Sequence, residues 1–299
     1  MVFASVGHSL AADITAIKSL DIKPYRSAIT GFKSTVSAKV TEYVIRHKNS
    51  KGETEEELIF LIRDGESELI FTLGTDALDL IQKEFHDIPV VFTFVLNPNG
   101  VMGRDWDSSR SNFHGISMNV PPDKQLDVLK KVMPGVKRVG VVYDPSKTKE
   151  LIDTALKAAE ELGLHLVANK VSTGTEAIDA VNLMAGRVDA LWMVPDTTVT
   201  TPASIDYMLR FSKKRSIPII GISEKYVKNG ALFALSFDSE DVGRQAGEIA
   251  EVLLSGKKLG GATRLYSPRT LKLSINIATA KNMGIRIPKK LVRTADRVY

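Results

Sequence analysis

The chain has 299 residues, of which 43% are apolar and 25% are charged, a length that favours two hydrophobic cores over one. Its net charge of +5 comes from small groups of basic residues without interleaved aromatic side chains, so we expect no nucleic-acid partner. The absence of cysteine excludes disulfides, thiolate metal sites, cysteine nucleophiles and a lipoprotein anchor cysteine, and no apolar stretch reaches the roughly 20 residues that span a bilayer.

The first twelve residues are small and apolar and end in Leu10-Ala11-Ala12. They resemble the end of a signal peptide and its small-residue cleavage site, although the positively charged start of such a peptide is missing. We therefore expect residues 1–12 to be a signal-peptide remnant of an exported protein. The alternative is a frayed N-terminus.

The first half of the chain alternates short apolar runs with segments of helical spacing. The predicted strands are 14–18, 40–46, 69–73, 89–94 and 114–118, and the predicted helices are 25–36, 54–63 and 76–85. The segment 96–112 is irregular and begins with the turn signal Asn97-Pro98-Asn99-Gly100.

The second half repeats this pattern. Its predicted strands are 138–142, 164–171, 190–194, 217–220 and 231–235, and its predicted helices are 123–132, 150–162, 175–185, 203–213, 239–254 and 278–283. Strands that alternate with helices of this length predict a parallel sheet in each half, and therefore an α/β fold. We expect one lobe of residues 14–117 plus 238–262 and another of residues 118–237 plus 263–299.

Each half also carries the same arrangement of a possible site. The run 69–73 leads into Gly74-Thr75-Asp76, and the run 189–194 leads into Pro195-Asp196-Thr197. A buried parallel strand that ends at a helix N-terminus presents free backbone amides, which bind anions, and ligands collect at the carboxyl ends of such strands. Two such edges predict two lobes that face each other across a cleft.

The candidate ligand-binding residues share a position at the end of a predicted strand or the start of the segment that follows. They are Ser19, Asp21, Tyr25, Gly74, Thr75, Phe94 and Asn97 in the first half, and Tyr143, Ser146, Asp196, Thr197, Ser223 and Asp238 in the second.

The chemistry of these residues predicts an amino acid, a related carboxylate or a similar small zwitterion. Amides at Gly74 and Thr75 suit a carboxylate, and the rings of Tyr25, Phe94 and Tyr143 could enclose an apolar body. The carboxylate of Asp196 has two equal interpretations: it caps the following helix, or it neutralises a ligand ammonium group. Trp192, inside a predicted strand, is interpreted as sheet packing.

Catalytic templates are absent from the sequence. No Gly-x-Gly-x-x-Gly follows the first strand, no Gly-x-Ser-x-Gly occurs, and the five histidines are dispersed without metal-ligand spacing. We therefore predict a binding protein that is not an enzyme and has no metal or cofactor. An α/β enzyme that uses carboxylates in the cleft remains the alternative.

Several motifs in order resemble one family. They are Gly74-Thr75-Asp76-Ala77, the run 88–92 (IPVVF), the run 134–146 (PGVKRVGVVYDPS) and the run 275–288 (INIATAKNMGIRIP). Together they resemble the ABC-transporter substrate-binding proteins of the tryptophan/tyrosine type, from about residue 14 to residue 298.

The resemblance implies a type I periplasmic binding protein fold, in which two Rossmann-like lobes joined by a three-segment hinge close on a small ligand. It also implies a periplasmic monomer that delivers its ligand to an ABC permease with its ATPase. A ligand-binding sensor module of the same fold, working without transport, is the alternative.

Overall fold

The computed structural model describes residues 13–45, 53–103, 106, 108, 111–257, 259 and 263–299. The expected signal-peptide remnant, residues 1–12, lies outside the described residues. Two compact units account for the chain, the first ending at Met118 and resuming over Ser239–Arg269, and the second comprising Asn119–Asp238 and Thr270–Tyr299.

The elements alternate between strand and helix over most of the chain. Up to residue 116 they are β1 (Asp13–Lys18), α1 (Lys23–Lys33), β2 (Lys39–Val44), α2 (Glu55–Asp64), β3 (Leu69–Leu73), α3 (Thr75–Glu84), β4 (Val90–Thr93), α4 (Pro98–Met102) and β5 (Phe113–Ile116). From 122 to 237 they are α5 (Pro122–Val132), β6 (Arg138–Tyr143), α6 (Pro145–Glu161), β7 (His165–Lys170), α7 (Gly174–Leu183), β8 (Ala190–Trp192), α8 (Pro202–Arg215), β9 (Ile219–Gly221), α9 (Glu224–Lys228) and β10 (Phe233–Phe237). The last are α10 (Ser239–Leu254), β11 (Leu265–Tyr266), β12 (Leu271–Ile275), α11 (Ile277–Asn282), α12 (Lys289–Thr294) and β13 (Arg297–Val298).

The first unit is built on a six-stranded parallel sheet in the order β11-β5-β4-β3-β1-β2. Strands β3 and β4 are buried along their whole length, because parallel sheets of this kind carry helices on both faces. This explains why both strands appear in the sequence as continuous apolar runs. Phe32 of α1 stacks on Phe71 of β3 with ring centroids 4.2 Å apart.

The second unit has a seven-stranded sheet in the order β13-β12-β10-β9-β8-β6-β7. Strands β7, β6, β8, β9 and β10 run parallel, whereas β12 is antiparallel to β10. The predicted α/β class with parallel sheets is therefore confirmed for both units, with β12 and its parallel neighbour β13 added in the opposite direction. Among the described residues, no helix combines the length and the apolarity needed to cross a membrane.

Helices α1 and α10 pack with their backbones in contact in the first unit. A Cβ atom added at Gly31 would lie 1.9 Å from the carbonyl oxygen of Glu240, and one added at Gly243 would lie 1.9 Å from that of Ala28. Only glycine permits so close an approach at these two positions. The contact fastens α10 to α1, although the two helices are some two hundred positions apart in the sequence.

Strand β11 corrects one expected boundary. Leu265 and Tyr266 pair in parallel with Gly115 and Ile116 of β5, so residues 263–269 belong to the first unit. The expectation that all of residues 263–299 lie in the second lobe is wrong for this segment. A strand of two residues is too short to produce a periodic pattern that the sequence could reveal.

His114 of β5 is buried between β4 and β11. Its Nε2 accepts a hydrogen bond from the Arg264 guanidinium, its ring stacks on Tyr266, and within the described residues its Nδ1 has no hydrogen-bond partner. Burial, and then the Arg264 charge, lower the pKa of His114 to about 4. The native state thus holds this imidazole neutral.

The α1–α10 contact predicts that Gly243→Ala destabilises the protein. The added methyl group meets the Ala28 carbonyl, and overpacking of this kind costs roughly 1–3 kcal/mol, which outweighs the roughly 1 kcal/mol that alanine gains over glycine in a helix. Urea denaturation followed by circular dichroism measures the loss. Gly135→Ala is the matched control, because a Cβ there meets no described atom within 4 Å. Equal stability of the two variants would contradict the close packing.

The His114 environment predicts acid sensitivity. Between about pH 6.5 and pH 4 His114 binds a proton in the unfolded chain but not in the folded chain. The free energy of unfolding therefore falls as the pH drops through this window. We expect His114→Gln to show a shallower fall than the unsubstituted protein, measured by urea denaturation at each pH. His86→Gln, at an exposed position, should leave the fall unchanged. Parallel curves for His114→Gln and the unsubstituted protein would refute the assignment.

Candidate functional site

The carboxyl ends of β1, β3 and β4 bring Ser19, Gly74 and Phe94 to one edge of the first sheet. The Ser19 amide donates to the Leu73 carbonyl at 2.9 Å, and the Gly74 amide donates to the Thr93 carbonyl at 3.0 Å. These bonds continue the sheet one residue past each strand. They hold three of the predicted site residues in a fixed relation.

Two hydroxyl groups lie at the N-terminus of α3. The Ser19 Oγ accepts a hydrogen bond from the Ala77 amide at 2.9 Å. Gly74 precedes the helix with φ +98°, and a Cβ there would lie 2.5 Å from the Tyr25 hydroxyl and 2.6 Å from the Ser19 Oγ. Glycine is therefore required both by the backbone and by the two hydroxyls. Thr75, the first helical residue, is exposed.

Apolar surface adjoins these hydroxyls. The rings of Tyr25 and Phe94 are tilted against each other with centroids 4.9 Å apart, and Phe94 adopts a left-handed backbone at φ +61°, which costs energy for a bulky residue. In the loop after β1, Leu20 is 46% exposed and Ile22 is 40% exposed. Burial, and then the Asp76 charge, raise the pKa of Tyr25, so its hydroxyl stays protonated at neutral pH.

Asp21 and Asn97, two other predicted ligand residues, have structural partners. Asp21 pairs with Arg26 at 3.2 Å and with Lys18 at 3.5 Å. The Asn97 side chain caps α4 by accepting from the Gly100 amide at 3.0 Å. Sequence reasoning overlooked Lys18, which is buried at the end of β1 and pairs with Glu42 at 3.0 Å. The sequence feature that could have identified Lys18 is a lysine at the end of an otherwise apolar strand.

In the second unit, Asp196 is buried and its carboxylate is fully used by the protein. Its Oδ2 accepts from the Asp144 amide at 2.8 Å and from the Thr148 hydroxyl at 2.7 Å. Its Oδ1 accepts from the amides of Thr198 and Val199 at 3.0 and 3.2 Å. With 1% exposure and four hydrogen bonds, Asp196 joins the loops after β6 and β8. This geometry favours the structural interpretation of Asp196 over the ammonium-binding one.

Asp144 is the second carboxylate of this edge, and the sequence did not single it out. Its Oδ1 accepts from both the amide and the hydroxyl of Ser146, and its Oδ2 accepts from the Thr198 hydroxyl at 2.7 Å. The Thr198 bond, followed by the Ser146 bonds, lowers the pKa of Asp144 and keeps it ionised. A carboxylate offers about four acceptor positions, so one remains on Oδ2.

The other residues of this unit named in the sequence analysis are Tyr143, Trp192, Thr197, Ser146, Asp238 and Ser223. Tyr143 packs in the hydrophobic core instead of lining a pocket, and Trp192 is buried with its Nε1 donating to Gln125 at 3.0 Å. Thr197 and Ser146 are exposed, and Asp238 pairs with Lys272 at 2.7 Å. Ser223 begins α9 and makes no side-chain capping bond to the described residues.

The described residues contain no cluster of three or more histidine, aspartate or glutamate side chains arranged to hold a metal ion. The two edges instead present hydroxyls, amides, carboxylates and, in the first unit, exposed apolar groups. This set suits reversible binding of a small polar molecule with an apolar body.

Comparison with known families gives one match over most of the chain. The model of the family described as ABC transporter substrate binding protein matches residues 23–299. A curated relative, the tyrosine-binding protein of Clostridioides difficile strain R20291, is 28% identical over 196 residues, which make up 64% of this chain and 56% of that protein. The matched region thus spans little more than half of that relative.

Solved structures share the fold. The ligand-free, open structure of a substrate-binding protein with adhesive properties from Clostridium difficile matches with a TM-score of 0.78 and 21% identity, over 96% of this chain and 99% of that one. The structure of an ABC domain in complex with L-Trp from Streptococcus pneumonia matches with a TM-score of 0.69 and 21% identity, over 97% and 100%. The expected type I periplasmic binding protein fold is confirmed.

The hydrogen bonds of Asp196 predict a large loss of stability for Asp196→Ala. Two buried donors and two loop amides lose their acceptor, which costs roughly 2–4 kcal/mol. Asp153→Ala is the control, since Asp153 makes only an exposed ion pair with Lys149 and should change stability by less than about 0.5 kcal/mol. Urea denaturation compares the two, and equal losses would contradict the joining role of Asp196.

Proposed function

The chain belongs to the family of ABC transporter substrate-binding proteins, and from this premise we propose that it captures an aromatic amino acid for an uptake transporter. Members of the family are ligand-binding proteins and not enzymes, and membership implies a small-molecule ligand and a transporter as partner. The observation that carries the choice of ligand is the first-unit edge, where hydroxyls and a helix N-terminus adjoin an aromatic pair.

The ligand carboxylate would bind at the N-terminus of α3. The predicted amide of Gly74 is already bonded to the Thr93 carbonyl, so the anion would depend on the positive end of the helix dipole and on the exposed Thr75. Tyr25 contributes a second donor, because its raised pKa keeps the hydroxyl protonated.

The aromatic body of the ligand would pack on Tyr25 and Phe94. Aromatic pairs are stabilised by tilted or offset contacts of this kind, beyond the area that they bury. Leu20 and Ile22 add exposed apolar surface at the same edge, which water solvates poorly and a ligand ring would cover. Two relatives are described as binding tyrosine or holding L-Trp, which supports the same ligand class.

Taken by itself, the carboxyl edge of the second unit offers Asp144 as the partner for a cationic group of a ligand. This carboxylate is ionised, and its Oδ2 keeps one acceptor position. Asp196 then acts as a positioning residue, since it holds the Asp144 amide and the Thr198 loop. Ser146, Thr197 and Ser223 supply further polar groups at the carboxyl edge of the second sheet.

A role in transport determines the expected location, oligomeric state and partner of the protein. The protein would be exported, with residues 1–12 as the remnant of its signal, and would act as a monomer with an ABC permease and its ATPase. We expect it to release its ligand unchanged. Incubation with tyrosine or tryptophan followed by chromatography tests this, and loss of the amino acid that depends on Asp144 would favour the enzyme alternative.

The ligand assignment predicts that L-tyrosine or L-tryptophan raises the melting temperature of the protein, as any ligand of the native state does. Calorimetry should then show binding weakened roughly 3–10-fold by Phe94→Leu, from loss of a ring contact worth about 0.5–1.5 kcal/mol. Asp144→Asn should weaken binding at least roughly thirty-fold if Asp144 pairs with the ligand ammonium group, because that charge pair is lost.

Matched controls are available for both substitutions. Phe60→Leu replaces an aromatic residue that is 64% exposed on α2, and Asp153→Asn replaces an exposed carboxylate of α6. Neither should alter ligand affinity. If an amino acid binds and all four variants bind it equally, the proposed residues are wrong even though the function stands; if no amino acid binds, the ligand class is wrong.

A further inference from the structure

The second unit carries a groove that the proposed function does not use. It lies between α11 and α12, has a volume of about 600 Å³, and has an apolar lining that includes Ile277, Ala280, Ile285, Ile287 and Val292. Because β12 is antiparallel to β10, with Ile275 paired to Phe233, α11 starts at the amino-terminal edge of the parallel strands. The groove is therefore at the opposite edge of this sheet from Asp144 and Asp196.

The groove is held open by its own backbone. Gly284 ends α11 at φ +68°, and a Cβ there would meet no described atom within 4 Å, so the lack of a side chain widens the groove. Ile285 and Ile287 pack partly against the core of the unit and fix the connection to α12. The Ile277 amide donates to the Tyr299 carbonyl at 2.6 Å, and the Tyr299 amide donates to the Ile275 carbonyl at 2.8 Å, which fastens the start of α11.

The rim of the groove is basic and unneutralised. Lys281, Arg286, Lys289 and Arg293 line it, and none of them forms an ion pair with any described residue. The segment 277–293 contains no aspartate or glutamate. Several cations on other helices instead pair with acids four residues away, as Lys83 does with Asp79 and Lys131 with Asp127. The groove thus combines an apolar floor with positive charges that lack partners.

We propose that this groove docks an acidic amphipathic segment of a partner protein. Apolar side chains three and four residues apart would enter the groove, and flanking carboxylates would pair with the rim, as in helix-in-groove recognition. Several separate cations match a peptide with several carboxylates better than a single small anion, and the groove is open where a small ligand would need enclosure. A lipid surface is disfavoured, because insertion needs several projecting apolar residues, whereas Ala280, Ile285, Ile287 and Val292 are buried or half-buried and only Ile277 of the five is exposed.

A peptide probe tests the proposal on the full-length protein. The probe is a fluorescent synthetic helix with leucines spaced three and four residues apart and glutamates on both flanks, and the comparison peptide has the same composition in scrambled order. We expect fluorescence anisotropy to show binding of the probe that weakens with added salt. The double reversal Lys281→Glu with Arg293→Glu should weaken it roughly tenfold or more, and Ile277→Ser should weaken it several-fold.

The controls separate the groove from general surface effects. Lys213→Glu with Lys214→Glu reverses two exposed lysines of α8, and Leu183→Ser removes a leucine that is 60% exposed on α7 of the same unit. Both should bind the probe normally. No binding, equal binding of the scrambled peptide, or equal binding by the groove variants and their controls would each overturn the proposal. The melting-temperature increase with amino acid should persist in every groove variant, so this test is independent of the ligand assignment.

Discussion

Parallel pairing of the strands is the constraint on which the rest of this structure depends. When β1, β3 and β4 run in the same direction, their carboxyl ends meet at one edge, and the loops that leave them must start side by side. The same holds for β6, β8 and β9 in the second unit. Residues that are fifty or more positions apart in the chain, such as Ser19 and Gly74, become neighbours for this reason alone.

The two sheet edges differ in how they satisfy the hydrogen bonds of polar groups at the ends of buried strands. In the first unit, the hydroxyls of Ser19 and Tyr25 lie close to Gly74. The rings of Tyr25 and Phe94 adjoin them. In the second unit, Asp196 supplies the acceptors for four donors, and a second carboxylate, Asp144, caps the next helix. One edge thus combines hydroxyls with apolar rings, and the other carries fixed negative charge.

Sequence reasoning reached the architecture because buried parallel strands produce continuous apolar runs that periodicity detects. It placed Ser19, Gly74 and Phe94 at the sheet edge because each stands at the end of such a run or directly after it. It could not decide the role of Asp196, since that role depends on donors from Asp144 and Thr148, about fifty positions away. It placed Tyr143 in a pocket because the end of a strand does not reveal which face of the sheet a side chain occupies. It assigned the segment that contains β11 to the wrong lobe because the partner of that strand, β5, lies about 150 positions away.

The glycine contact between α1 and α10 also has a consequence for biosynthesis. The first unit begins at the N-terminus, yet it needs α10 and β11, which follow residue 238, and the second unit needs β12 and β13 from the end of the chain. Neither core closes while the ribosome is still making the middle of the protein. Contacts so distant in sequence slow folding and prolong the exposure of apolar strands. The nascent chain therefore remains incompletely folded until the segments that carry α10 to β13 have been made, and its apolar strands are open to aggregation during that interval.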